Sequence, residues 1–339
     1  LLACLSPDQA GARDQKTLRI ATFHTELSRK GPGLLLFDIA SGADPQVAAV
    51  IDVINHIAPD ILVLQGFDYD LTGAALNGFA DGLDAPGYPH RFALRPNTGM
   101  RTGLDMDGDG KTGTARDAQG FGRFSGQGGM AILSRYPVDM DQVRDLSAML
   151  WRDMPGALRP MRNDKPFPSA AAADVQRLST TGHWVVPILT PHHGRITVLS
   201  YHATPPIFDG PEDRNGKRNH DETKLWQLLL DGQFGPAPET GFVIAGVSNL
   251  DPTRGAGLRQ AMRDLLADPR LQDPHKDTLT VDWTDPVPGD MRVDYLLPSS
   301  DLVVTDSGVF WSQPDAAMAQ TVRDASRHRL VWVDILPPS

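Results

Sequence analysis

Apolar positions along this chain fall into two rhythms, and their succession sets the expected architecture. Leu18 to Phe23, Ile61 to Leu64, Gly129 to Ser134, Phe242 to Gly246, Met291 to Leu297, Leu302 to Phe310 and Leu330 to Ile335 alternate or run continuously apolar, which predicts strands. Val185 to His202 predicts a hairpin, VVPILT and ITVLSYH around PHHGR, with His192 and His193 in a solvated turn. Between the strands the period changes. Val47, Val50, Ile51, Ile54 and Ile57 recur at helical spacing over Asp44 to Pro59, and the proline ends that helix. Leu225, Leu228 and Leu229 mark a second helix from Asp221 to Leu230, and Gly257 to Leu266 predicts a third. A strand, a helix and a strand open the chain, a βαβ-like start that points to the α/β class.

Three stretches carry neither rhythm. Pro86 to Arg135 is loop-rich with a glycine-dense centre, and Asp145 to Thr181 reads as a surface excursion of prolines, alanines and short polar residues. Ala203 to Glu222 reads as a proline-stiffened loop that presents Arg214, Lys217 and Arg218 among acids. Those cations suit either ion pairs within the loop or a clamp on a phosphate, so Arg214 and Arg218 are candidate phosphate contacts.

The chemistry collects where strands end, which is where open α/β sheets place their ligands. The first strand delivers His24 and Glu26, the second ends in Gln65, Gly66, Phe67 and Asp68, and the hairpin ends on His202. Ser248 and Asn249 follow the Phe242 strand, Asp294 sits in the MRVDYLL strand, and Arg327 and His328 precede the last one.

The stretch GVSNLDP, from Gly246 to Pro252, resembles the G-D-x-N-x-D-P block of the endonuclease/exonuclease/phosphatase superfamily, the fold of pancreatic deoxyribonuclease. Thr22-Phe23-His24 is similar to that superfamily's Thr-x-Asn, Gln65-Gly66 to its Gln-Glu, and Ser326-Arg327-His328 to its Ser-Asp-His. The block from Ala203 to Glu222 resembles secreted bacterial members. This resemblance covers nearly the whole ordered chain in family order. It implies a DNase I-like, four-layer α/β/β/α sandwich of two stacked mixed β-sheets flanked by helices, with the site at one edge between them. It also implies phosphate-ester cleavage on a magnesium ion held by an Asn and a Glu. Carried over by position, His202, Asn249, Asp294 and His328 match catalytic residues, whereas His24, Gly66, Val247 and Arg327 replace the metal Asn, the metal Glu, the water-activating Asp and a further Asp.

Those replacements are not conservative. Gly66 has no side-chain oxygen, Val247 cannot act as a base, and Arg327 places a fixed positive charge where an acid helped to hold a cation. The expectation is a catalytically impaired phosphoesterase fold, with Arg327, His328, Asn249 and His202 binding a phosphate without cleaving it. One alternative is an active phosphodiesterase or phosphatase that recruits a softer metal such as zinc through His24, His202 and His328. A remote one is a serine hydrolase, since Gly246-Val247-Ser248 nearly begins a nucleophile elbow and Ser248, Asp294 and His328 run in triad order.

Composition narrows the partners. The 339 residues are 40% hydrophobic and 22% charged, ordinary material for one domain from about Thr17 to Pro337. A formal net charge of -10 repels polyanions, so a small phosphate ester fits better than nucleic acid. Asp105, Asp107, Asp109 and Gly110 match positions 1, 3, 5 and 6 of a calcium loop, although Arg116 stands where such loops place a bidentate Glu. The single cysteine, Cys4, lies in an opening LLAC that resembles the end of a bacterial lipoprotein or secretory signal. Residues 1–16 then read as leader remnant and tether, and the expectation is an exported protein, periplasmic or extracellular, with a candidate lipid anchor. No run approaches the 18 or so apolar residues of a membrane helix.

Overall fold

Strands with near-continuous apolar sequence need cover on both faces, and the computed structural model supplies it. It describes residues 17–283, 287–312 and 316–336, and Cys4 with the leader-like stretch lies outside them. The strands in chain order are β1 (Leu18–His24), β2 (Ile61–Phe67), β3 (His90–Phe92), β4 (Gly129–Ser134), β5 (Arg144–Asp145), β6 (Met161–Arg162), β7 (Lys165–Pro166), β8 (His183–Thr190), β9 (Gly194–His202), β10 (Phe242–Val247), β11 (Asp294–Pro298), β12 (Val303–Val309) and β13 (Val331–Leu336). One sheet has the order β12-β13-β1-β2-β4-β3 and the other β11-β10-β9-β8-β5, while β6 and β7 pair by themselves. Both sheets are mixed. Each contains one parallel pair, β1 with β2 and β9 with β10, and antiparallel neighbours around it.

Side-chain alternation sorts the core into three layers. Ile20, Ile61, Val63, Ile132, Val186, Val198, Val243, Ala245, Leu296 and Val333 meet between the sheets. The outer face of the first sheet is covered by α1 (Leu34–Ser41), α2 (Pro45–Ile57), α3 (Ala74–Asp81) and α7 (Ala319–Ala325), through residues such as Leu35, Val50, Ile54, Phe79 and Val322. The short α4 (Ala170–Val175) follows β7, and α5 (Arg214–Leu230) and α6 (Gln260–Leu266) cover the second sheet through Leu225, Trp226, Leu229, Met262 and Leu265. The layers therefore run helix, sheet, sheet, helix, as the resemblance implies. In α2, Asp44 caps the helix by accepting from the Val47 amide at 2.8 Å, and Pro45 takes the first turn, where its missing N–H is not needed. Among the described residues no single helix is long and apolar enough to cross a membrane.

Several expectations need correction. The 145–181 segment is not a surface excursion, because it buries Trp151, Met154 and Leu178 in the outer core of the second sheet. Its anchor is polar: Asp221 on α5 accepts from Trp151 Nε1 at 2.6 Å and from the Leu158 amide at 2.7 Å. The helix read as Asp221 to Leu230 begins seven residues earlier, at Arg214, inside the stretch read as loop. Of the turn histidines only His192 is exposed; His193 is buried and lies 3.2 Å from the Ile335 carbonyl through Nε2. The strand around Asp294 starts at that residue instead of at Met291.

Candidate active site at the edge between the sheets

The parallel pairs bring four strand ends to one edge. β1 ends on His24, opposite Gln65 of β2, and β9 ends on His202, opposite Val247 of β10. β11 enters the same edge with Asp294, the other neighbour of Val247. His24 shares its strand face with Leu18 and Ile20, and Val247 shares its own with Val243 and Ala245, so both point into the space between the sheets. The loop before β13 adds Arg327 and His328.

Three imidazoles cluster there. The His24 ring lies 4.2 Å from His328 and 4.9 Å from His202, centroid to centroid. His328 Nδ1 is 2.9 and 3.0 Å from the two oxygens of Asp294. A carboxylate only accepts, so Nδ1 carries a proton. Burial pushes the His24 pKa well below its ordinary value, and the neighbouring His328, His202 and Arg327 lower it further. Burial, then His328, holds His202 down at about 3. Both rings are neutral near pH 7, and the Nδ1 atoms of both are buried without a hydrogen-bond partner.

His24 and Gly66 fit each other. Gly66 sits at φ +67 in a bulge of β2, and a Cβ added there would stand 2.9 Å from Cε1 and Nε2 of His24. The imidazole therefore occupies the space a side chain at 66 would enter, and the backbone conformation favours glycine besides. The magnesium of the family resemblance does not fit these residues: one ligand position has no side chain, and the other presents a nitrogen ring that fills the gap.

The sequence places Glu26 at the end of the first strand without giving it a role, and the structure makes it the acid that holds Arg327. Glu26, at φ +53, accepts from the Arg327 amide at 2.9 Å, from Arg327 Nε at 3.0 Å, from Arg327 Nη2 and from Ser326 Oγ at 3.3 Å. Burial alone would raise its pKa, but the hydrogen bonds from the Arg327 side chain and backbone outweigh that and hold it below the usual glutamate value. Arg327 is thus not a free cation. Period-two spacing from His24 to Glu26 was the available signal, although it could not name the partner. Ser326 Oγ also donates to the His24 carbonyl at 2.8 Å, and Gln46 of α2 donates to the carbonyls of Thr25 and Ala325 at 3.2 and 3.1 Å.

Other candidates lie elsewhere or are already engaged. Asn249, at φ +54, donates from Nδ2 to the Ala203 carbonyl at 2.8 Å, beside His202. Ser248 is fully buried and its hydroxyl sits in a local turn, 3.1 Å from the Leu250 amide and 3.3 Å from the Leu250 carbonyl, which removes it as a nucleophile. Arg214 donates to the Met106 carbonyl. Arg218 is buried and donates to the carbonyls of Leu178, Gln119, Arg177 and Ser179 at 2.7 to 3.1 Å. It sits beside Glu222, whose pKa burial pushes up to about 7 and whose oxygens accept from the Thr180 and Thr204 amides. These two arginines brace α5 against three chain segments. In the separate 105–110 loop, Asp105, Asp107 and Asp109 do converge, but Asp105 already accepts from the amides of Gly108 and Gly110 at 2.7 and 2.9 Å.

Two stacked mixed sheets between helices, with a histidine and carboxylate site at their shared edge, define a phosphoesterase-type fold. The chain belongs to the Endonuclease/Exonuclease/phosphatase family, which it matches over residues 35–328. Among solved structures it is similar to an endonuclease/exonuclease/phosphatase from Beutenbergia cavernae, at 20% identity and a TM-score of 0.59, covering 96% of this chain and 72% of that one. It is similar also to sphingomyelinase C from Streptomyces griseocarneus, at 16% identity and a TM-score of 0.51 over 94% and 99% of the two chains. The catalytic domain of human Nocturnin with bound sulfate gives 12% identity and a TM-score of 0.51 over 94% and 93%. No curated protein matches the chain in sequence.

Proposed function

We propose that this chain keeps the phosphoesterase fold of its family but does not carry out magnesium-dependent phosphoester hydrolysis. The observation that supports this most is the mutual fit of His24 and Gly66, since the imidazole fills the space from which a carboxylate at 66 would reach a metal. Val247 adds to it: fully buried between His202 and Asp294, it brings no group able to take a proton from water to a position that faces the site. A phosphate clamp through Arg327 has less support, because its Nε and Nη2 are engaged by Glu26, and His24 and His202 are neutral.

An active phosphoesterase is the second reading, favoured by the intact Asp294–His328 pair. Purified protein with bis-p-nitrophenyl phosphate, p-nitrophenyl phosphate, sphingomyelin and DNA, each with magnesium or manganese, separates the two. The expected result is no turnover above buffer with any of them. Chelator-sensitive turnover with magnesium, near the 1 s⁻¹ or more of ordinary enzymes, would falsify the proposal.

A further inference from the structure

We propose that His24, Glu26 and His328 form a binding site for a divalent transition-metal ion of the zinc class. The inference rests on the loss of the magnesium ligands and says what chemistry has taken their place. The ligand atoms of the three residues lie within 4.8 Å of one another. Zinc bonds of about 2.0–2.2 Å hold donor atoms at most about 4 Å apart, so closing this set needs side-chain shifts of roughly 1 Å. Two imidazoles and one carboxylate make a donor set suited to zinc, cobalt or nickel and poor for magnesium or calcium, which prefer oxygen.

The surroundings have the form that such ligands require. Asp294 accepts a hydrogen bond from Nδ1–H of His328, so Nε2 is the nitrogen left to bind a metal, the orientation that a carboxylate behind a metal-bound histidine imposes. Glu26 is fixed by Ser326 and Arg327: one oxygen accepts from the guanidinium and the other from the Arg327 amide and the Ser326 hydroxyl, so a metal bond to Glu26 takes the place of one of these hydrogen bonds. The Arg327 side chain is 66% exposed and its charge is paired with Glu26, so water and the carboxylate together weaken its repulsion of a cation. An independent observation comes from the imidazoles. The Nδ1 atoms of His24 and of His202, whose rings are 4.9 Å apart, are both buried and unpartnered, a cost that a bound metal with its water offsets.

Titration calorimetry of the chelator-treated full chain with zinc, cobalt, magnesium and calcium tests this. One equivalent of zinc should bind with a Kd at or below about 1 µM, a working threshold set well under the apparent affinities of structural zinc sites, and magnesium should give no heat at the same position. His24→Ala and Glu26→Gln should each weaken zinc at least tenfold, and Asp294→Asn, a positioning residue, by 10- to 100-fold. X-ray absorption of the wild-type zinc complex should show about two imidazoles, a readout that does not depend on any variant folding. Absence of zinc binding at 100 µM overturns the proposal, as does a zinc shell without imidazole or unchanged affinity in folded His24→Ala. Loss of zinc from an Asp105→Asn/Asp107→Asn/Asp109→Asn variant overturns it too, since the ion would then belong to that loop. The outcome is separable from the hydrolysis assay: zinc-dependent turnover leaves this site standing, and a failure to bind zinc leaves the loss of magnesium chemistry standing.

Discussion

The two sheets depart unequally from the family pattern at the edge they share. By the resemblance read from the sequence, the second sheet keeps His202, Asn249 and Asp294 and changes only Val247, whereas the first changes His24, Gly66 and the neighbouring Arg327 and keeps only His328. The first-sheet changes also answer one another. His24 fills the space beside Gly66, and Glu26 neutralises Arg327. The lesson is that a position without a side chain need not leave a hole. This edge is packed, close to charge-neutral and hydrogen-bonded, which is why its chemistry cannot be judged by counting missing acids.

The firmest test of the contrast is Arg218 in the polar bracing of α5 behind the second sheet. Arg218→Met removes the cation beside buried Glu222 and the four hydrogen bonds that Arg218 donates to carbonyls, so urea unfolding should show a loss of about 3–5 kcal/mol. A loss under about 1 kcal/mol would mean that the second sheet does not depend on this brace. His183, in the same region, reports through pH. Burial lowers its pKa to about 4 from an ordinary 6.5, so the unfolded chain takes up a proton before the folded one does. Its contribution is complete above about pH 6.5 and is lost as pH falls toward 4, by at most about 3 kcal/mol. Thermal melts from pH 7 to 4 should therefore fall less steeply for His183→Leu than for the parent; equal slopes would place the His183 charge change elsewhere.

Restoring the first-sheet ligands together with the base asks whether the edge can be converted back. His24→Asn/Gly66→Glu/Val247→Asp/Arg327→Asp should bring magnesium-dependent hydrolysis of bis-p-nitrophenyl phosphate to about 100-fold or more above the buffer rate, the lower range for a general base alone. No gain in a folded variant would show that more than these positions differ. The His24–Gly66 fit gives a smaller effect. Gly66→Ala should cost about 1–3 kcal/mol from the positive φ and the clash, and His24→Ala should relieve part of it, with a coupling of at least about 0.5 kcal/mol in a double-mutant cycle. Additive costs would break the claim of mutual fit. The smallest change is expected from Arg327→Ala, an exposed ion pair that should alter unfolding free energy by less than about 1 kcal/mol.

The parts of the molecule legible in the sequence are those whose signal is local. β1, β2, β4, the β8–β9 hairpin and α2 follow from hydrophobic periodicity and a capping residue, and the strand-end positions of His24, His202 and Asn249 follow from them. The first half of α5 has the sequence of a loop for a physical reason. Its buried face carries Arg218, Asn219, Asp221 and Glu222, which satisfy backbone groups of distant segments, and a buried polar face has no hydrophobic period to detect.

By itself the sequence determined the layered α/β class, the family and which residue types stand at the strand ends, because these depend on residue types and their order. Only the tertiary structure decided how those residues meet. Whether Arg327 is a free cation, whether Gly66 leaves a gap and whether His24 meets His328 are questions of distance between residues up to 304 positions apart in the chain. Such distances arise when β1, β2 and the loop before β13 are brought to one sheet edge by packing, which no local pattern encodes.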